Sequence, residues 1–144
     1  MMDLSLPHLM DALGRVGVAL FVGAVLGMER RVHGRWADLR TYMFVSMAAA
    51  IYVIIGEYAA PGDQPDVSRI IQGIATGVGF LGAGTILKLS DQVEIKGITT
   101  ASSIWLAAAL GTASGLKQYS LAVVGAFLAL LVMVVLRPVE KKFP

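Results

Sequence analysis

The chain has 144 residues, of which 56% are hydrophobic and only 15% are charged. Soluble domains carry about a quarter charged residues, so this apolar excess is more than one soluble core buries and favours an integral membrane protein. The net charge of +2 comes mainly from loops and does not indicate nucleic-acid binding, while zero cysteines and two histidines exclude disulfides, thiolate sites and histidine metal clusters.

Five segments are long and apolar enough to be membrane spans, each of which takes about 20 residues. Their ranges are about 9–28, 41–58, 70–87, 98–115 and 119–136. The expected fold class is therefore an all-α membrane protein, a bundle of five transmembrane helices that forms one domain over residues 1–144. The N-terminal stretch has no basic start and no small-residue cleavage site, so we expect no cleaved signal peptide.

The first predicted helix is awkward, because its purely apolar part, 16–28, is too short to span alone. The helix must therefore include Asp11 and Arg15 or continue into Glu29. Asp11 and Arg15 are four residues apart, so they share a helix face and can form an ion pair. Two interpretations stay open: a pair that reaches water at the outer interface, or a polar site between helices.

The loops differ in charge. The first and third loops and the C-terminal tail hold nine basic residues, namely Arg30, Arg31, Arg35, Arg40, Lys88, Lys96, Arg137, Lys141 and Lys142. The opposite side holds three, namely Arg15, Arg69 and Lys117. Because basic loops stay in the cytoplasm, this asymmetry predicts an N-terminus outside and a cytoplasmic C-terminus.

Glycine pairs spaced by four, which let helices approach closely in lipid, occur in the first, third and fourth helices. The third helix has small residues on more than one side, so we place it at the centre of the bundle. The glycines expected to pack helices are Gly23, Gly27, Gly73, Gly77, Gly79, Gly82, Gly84, Gly111 and Gly115.

Hydroxyl and amide side chains concentrate in the third and fourth helices, which a short loop joins into an antiparallel hairpin. They are Gln72, Thr76, Thr85, Thr99, Thr100, Ser102 and Ser103. The hydroxyls at the start of the fourth helix are expected to cap it. The alternative is an anion site at the positive end of that helix, beside Lys88 and Lys96.

Four stretches of the chain form a signature when they are taken together. They are GAVLGMERRVHGRWADLRT, DVSRIIQG, GFLGAGTILK and KGITTASSIWLAAALGTASG. In this order and spacing they resemble the MgtC/SapB family, with a similarity that runs from about residue 15 to 136. Asp38 and Val67 depart from the family, which usually has glycine and proline at these positions.

The resemblance implies a bacterial inner-membrane protein linked to growth in low magnesium and to virulence. Some members carry a C-terminal cytoplasmic domain of ACT-like fold. This chain stops at Pro144, so we expect the membrane core alone.

The family pattern also selects residues from the end of the first helix to the start of the second. Those that match it are Glu29, Arg30, Arg40 and Thr41. The partner of Glu29 stays open among Arg30, Arg40, Lys88 and Lys96. The full candidate polar set is Glu29, Arg30, Arg40, Thr41, Arg69, Gln72, Thr85, Lys88, Lys96, Thr99, Thr100 and Ser103, with Asp11 and Arg15 as an outer polar pair.

The function is a choice between a regulator and a transporter. Magnesium prefers oxygen ligands, and no carboxylate lies near the middle of the second to fifth helices. We therefore favour a protein that binds and regulates another membrane component and forms a homo-oligomer, a dimer. The alternative is a magnesium or other cation transporter or channel formed by an oligomer.

Enzyme activity is not expected, because no H-E-x-x-H, G-x-S-x-G or P-loop motif occurs. No cofactor is expected either. Magnesium binding and any metal ligands are left open by the sequence.

Overall fold

Five helices and one short β-ladder form the part of the chain that the computed structural model describes, residues 6–32, 38–59, 67–88, 95–136 and 138. The helices are α1 (Leu6–Val32), α2 (Leu39–Ala59), α3 (Val67–Gly84), α4 (Ile98–Gly115) and α5 (Tyr119–Val135). Strands β1 (Leu87–Lys88) and β2 (Ile95–Lys96) pair antiparallel. The prediction of five helices is confirmed.

Helix α1 is one continuous helix of 27 residues, about 40 Å long. It contains Asp11 and Arg15 and also runs past Glu29, so both extensions expected from the sequence occur together. By length and composition, α1 and α2 are each able to cross a membrane. Helix α5 is apolar but has 17 residues. Length and composition are therefore consistent with two of the five predicted spans.

The bundle is built around α4, which contacts all four other helices. Residues 111–115 at the end of α4 are all buried. In α3, by contrast, Gly82 is the one buried residue. The prediction that the third helix is central is therefore wrong. The alanine and glycine residues of α4 let neighbouring helices pack closely on several of its sides. The small residues of α3 lie mostly on faces that no other helix of the bundle contacts.

Two of the three glycine pairs hold α2 from different sides. A Cβ added at Gly23 of α1 would lie 2.7 Å from a backbone oxygen of α2, and one added at Gly111 of α4 would lie 2.0 Å from another. Gly27 and Gly115 contact the backbone of α2 in the same manner. Helix α2 is thus packed between α1 and α4 at distances that leave no room for a side chain.

The remaining glycines predicted to pack helices behave differently. A Cβ added at Gly73, Gly77, Gly79 or Gly84 would meet nothing within 4 Å, so within one chain the prediction is wrong for these four. Gly82 faces α4 at ordinary contact distance. The reason is the position of α3 at the edge of the bundle, where it turns only part of its surface to its neighbours.

The connection between α3 and α4 is tighter than expected. Helix α3 ends at Gly84, because the N–H and the hydroxyl of Thr85 both donate to the Gly82 carbonyl, at 3.0 and 2.7 Å. The chain then enters the β1–β2 ladder. Gly97 follows with a φ of +100°, and a Cβ there would lie 2.0 Å from the Thr85 carbonyl oxygen. Glycine is therefore required at this position.

Candidate functional site

A cluster of ion pairs joins three helices at the end of the bundle where α1 begins. We call it the Arg15 cluster; its side chains are Asp11, Arg15, Glu57 and Lys117. The Arg15 guanidinium lies 2.6 Å from the Asp11 carboxylate, contacts the Glu57 carboxylate of α2, and donates to the Gly115 carbonyl of α4 at 3.0 Å. The Lys117 ammonium lies 2.9 Å from Asp11.

Burial distinguishes the members of the Arg15 cluster. The Arg15 side chain is 5% exposed, whereas those of Asp11 and Glu57 are 32% and 28% exposed. Carboxylates and the negative end of the α4 dipole stabilise the buried guanidinium. The structure therefore has a polar site between helices here, and Arg15 does not reach water as an interfacial pair would.

Lys117 lies in a strained turn between α4 and α5. Its φ is 60°, in the left-handed region that non-glycine residues rarely adopt. The Lys117 N–H donates to Ser114 at 3.1 Å and the Gln118 N–H donates to Ala113 at 2.8 Å, which is a common closure of a helix C-terminus. Glycine is usual at this position, and lysine costs roughly 1 kcal/mol there. The side chain gains its contact with Asp11.

A second polar cluster joins the same helices about 22 Å further along α1. This Arg30 cluster consists of Glu29, Arg30, Tyr42, Ser103 and the Thr99 carbonyl. The Arg30 side chain is 4% exposed, its Nε lies 3.7 Å from the Glu29 carboxylate, and it donates to Thr99 of α4 at 3.3 Å. The buried hydroxyls of Tyr42 and Ser103 form a hydrogen bond of 2.7 Å.

Only part of the predicted functional set lies in these clusters. Of the candidate partners of Glu29, the structure places Arg30 at ion-pair distance. Arg40 is 81% exposed and lies 3.7 Å from Asp38. The predicted residues outside both clusters also include Thr41, Arg69, Gln72 and Thr85. The side chains of Lys88 and Lys96 lie outside the described part of the chain.

The first turn of α4 has no hydroxyl cap. Gly97 takes the N-cap position and no side chain caps the helix there. The Ser102 hydroxyl donates instead to the Ile98 carbonyl, and the Ser103 hydroxyl donates to the Thr100 carbonyl, both at 2.9 Å. The expected cap is therefore wrong, because the chain needs the left-handed backbone of glycine to leave the ladder.

Each carboxylate of the described residues lies within 4 Å of an arginine nitrogen. Asp11 and Glu57 lie beside Arg15, Glu29 beside Arg30, and Asp38 beside Arg40. Across residues 6–32, 38–59, 67–88 and 95–136, no group of three or more acidic or histidine side chains is placed to hold a metal ion. Three guanidinium groups thus lie beside these four carboxylates, and Arg15 is shared by Asp11 and Glu57.

Comparison with known proteins decides the family. The MgtC family model matches residues 16–142 of the chain. The chain belongs to the MgtC family. It is 41% identical over 130 residues to protein SrpB of Synechococcus elongatus, which covers 83% of this chain and 71% of SrpB.

Two further relatives are considerably longer than this chain. The chain is 37% identical over 125 residues to the putative magnesium transporter YhiD of Escherichia coli K12, covering 83% of this chain and 57% of YhiD. It is 32% identical over 139 residues to protein MgtC of Salmonella typhimurium LT2, covering 96% of this chain and 56% of that protein. The chain thus spans little more than half the length of these two relatives. No solved structure matches it.

Some residues that connect the helices of this MgtC-family chain were not singled out from the sequence. Tyr42 and Ser46 of α2 are fully buried, and the Ser46 hydroxyl donates to the Ala19 carbonyl of α1 at 2.8 Å. Glu57 was not assigned as a partner of Arg15. A signal existed for Glu57, because it is the one charge between residues 41 and 58 and such a charge needs a partner.

Proposed function

We propose that the chain is a multi-pass protein of a bacterial inner membrane that supports growth at limiting magnesium, and virulence-related physiology, by binding and regulating another membrane component. It works as a homodimer and does not itself move magnesium. The names of its relatives, MgtC and a putative magnesium transporter, support the link to magnesium. No catalytic role is assigned to any residue.

The outer surface supports residence in a membrane. Large apolar side chains are exposed along α1, α2 and α5, among them Phe21, Phe44 and Phe127. Soluble monomers rarely expose apolar patches larger than a few hundred Å², whereas lipid is an apolar solvent that covers such a surface without penalty. A membrane environment therefore accounts for these faces and for the buried polar clusters at the ends of the bundle.

The orientation follows from the charges of the loops. We expect the N-terminus outside and the C-terminus inside, because nine of the twelve basic residues belong to the loops, helix ends and tail of the expected cytoplasmic side. A reporter that is active only in the periplasm, fused after Pro144, should be inactive, and the same reporter fused before Met1 should be active. The reverse pattern would contradict the proposed topology.

The single observation that carries the regulatory proposal is that an arginine nitrogen lies within 4 Å of each described carboxylate. Magnesium is bound through oxygen ligands and gives up its water reluctantly, so a carboxylate held by a guanidinium is a poor ligand for it. The space between the two clusters is also filled. Its fully buried side chains are Val22, Leu26, Ala50, Val53 and Ala107. Within the described residues, this packed apolar core leaves a hydrated ion no path between the two clusters.

The alternative is a cation transporter or channel formed by an oligomer, whose path would run between copies. The printed description of YhiD as a putative magnesium transporter favours it. Growth and magnesium content together separate the two proposals. In a host strain that lacks the gene, the chain should restore growth at limiting magnesium without raising magnesium uptake. If the restored growth is accompanied by a rise in magnesium uptake, the result would support the transporter instead.

A further inference from the structure

A groove between α2 and α3 lies apart from both polar clusters. Its cavity has a volume of about 630 Å³, and its walls include Phe44, Ala48 and Tyr52 of α2 and Ile74, Gly77 and Leu81 of α3. Of the described residues that line it, Tyr52 alone has a polar atom in its side chain. Apolar cavities stay dry, so the groove needs an apolar occupant.

Glycine gives the groove its depth on the side of α3. Gly73 and Gly77 both line it, and a Cβ added at either position would meet nothing within 4 Å. At one end the two helices close up, because a Cβ added at Gly56 of α2 would overlap the side chain of Ile70. At the other end Phe44 and Leu81 are both more than half exposed. The groove is therefore accessible near the start of α2.

The dimensions of the groove distinguish between occupants. Its lining covers residues 44–52 of α2 and 70–81 of α3, which are about 12 and 16 Å of helix. A volume of 630 Å³ over such a length gives a cross-section of about 45 Å². Hydrocarbon chains in contact lie about 4.5 Å apart and take ~20 Å² each. An α-helix is about 10 Å across with its side chains and takes ~80 Å². The groove thus fits two acyl chains and is too narrow for a helix, whether from a second copy or from another protein.

A cation lies at the accessible end of the groove. Arg40 precedes Phe44 by one helical turn and so shares the face of α2 that lines the groove. Its side chain is 81% exposed and its Nε lies 3.7 Å from the Asp38 carboxylate, which leaves the terminal nitrogens available to an anion. Guanidinium groups bind phosphate through two parallel hydrogen bonds. The apolar walls below Arg40 have the depth of one leaflet, which is about 15 Å of hydrocarbon.

We propose that this groove binds one phospholipid of the cytoplasmic leaflet, with its two acyl chains between α2 and α3 and its phosphate on Arg40. The inference rests on the membrane residence and the orientation proposed above. Arg40 also lies in the first turn of α2, where the positive end of the helix dipole favours an anion. The basic residues of the expected cytoplasmic side attract anionic lipid, so phosphatidylglycerol is the probe.

Native mass spectrometry of the full chain, released from phosphatidylglycerol nanodiscs and washed with detergent, tests the site. Each 15.2 kDa chain should retain one lipid. Gly77→Leu places a side chain in the groove, where its Cβ meets nothing, so the chain should stay folded. Its retained lipid should fall about tenfold, the effect expected when a large side chain overpacks a filled site.

Gly79→Leu is the matched control for Gly77→Leu. Gly79 is exposed on the same helix and its Cβ also meets nothing, but it does not line the groove. This variant should retain the lipid as the parent does. Equal retention by the two variants would overturn the proposal. A parent chain that retains no phospholipid, or one that forms a dimer which Gly77→Leu disperses, would overturn it as well.

The phosphate contact is tested by titrating phosphatidylglycerol into the delipidated protein. Arg40→Met should weaken binding about three- to tenfold, between the effects of an exposed ion pair and of a charged hydrogen bond. Arg31→Met is the control, because Arg31 is exposed on α1 and does not line the groove. It should leave the affinity unchanged. Equal affinities of the two variants would show binding to a general basic surface and overturn the proposal.

This inference and the proposed function fail separately. A protein that retains the lipid but carries magnesium across liposome membranes keeps the site and refutes the regulatory function. A protein that retains no lipid but restores growth at limiting magnesium, without a rise in magnesium uptake, does the reverse.

Discussion

Replacement of Arg15 by methionine is expected to destabilise the chain by about 3 kcal/mol, because it removes a buried cation and leaves Glu57 without its guanidinium. The methionine keeps most of the apolar stem, so the loss reports the charge and its bonds across three helices. Equilibrium unfolding in mixed micelles, followed by tryptophan fluorescence, measures the change.

Arg40→Met is the matched control for Arg15→Met. The Arg40 side chain is 81% exposed and its pair with Asp38 is long, so the change should be less than about 0.5 kcal/mol. The double variant Arg15→Met with Glu57→Gln should recover part of the loss, since no unpaired carboxylate then remains. Equal stability of Arg15→Met and Arg40→Met would show that the Arg15 cluster does not hold the helices together.

Gly111→Ala should also have a large effect, a loss of about 2 kcal/mol. The new Cβ would lie 2.0 Å from the carbonyl oxygen of Ser46, which belongs to the backbone of α2. A helix backbone has no rotamer to change, so α2 and α4 must move apart and the contacts along both helices weaken. The same unfolding measurement detects the loss.

Gly77→Ala is the control for this second substitution. Its Cβ meets nothing within 4 Å, so stability should stay the same or rise by about 0.5 kcal/mol through helix propensity. Likewise Ala126, which is buried on α5, should tolerate leucine less well than Gly77 does. A Gly77→Ala variant that loses as much stability as Gly111→Ala would contradict the placement of α3 at the edge of the bundle.

The five helices could be predicted because their apolar length is a property of each segment by itself. Which helix is central could not, because that depends on which face of each helix meets a neighbour. The glycine pairs of α1, α3 and α4 look alike in sequence, but only the pairs at Gly23 and Gly111 meet the backbone of α2. Spacing shows that a helix is able to pack closely and does not show where its partner lies.

The same distinction, between contacts within one helix and contacts between helices, holds for the candidate site. The pairing of Asp11 with Arg15 could be predicted, since residues four apart meet on a helix whatever surrounds them. The contact of Arg15 with Glu57 joins residues 42 positions apart and exists only because α1 and α2 are antiparallel neighbours. The role of Gly97 could not be predicted, because it depends on the β1–β2 ladder and strands of two residues leave no pattern in the sequence.

Magnesium flux into sealed liposomes that contain only this protein tests most directly whether the bundle regulates or transports. With arginine engaging the described carboxylates and the core filled, flux should equal that of protein-free liposomes. Flux above that level, abolished by Glu29→Gln or Thr85→Val while the protein stays assembled, would contradict the regulatory function and establish the transporter in its place.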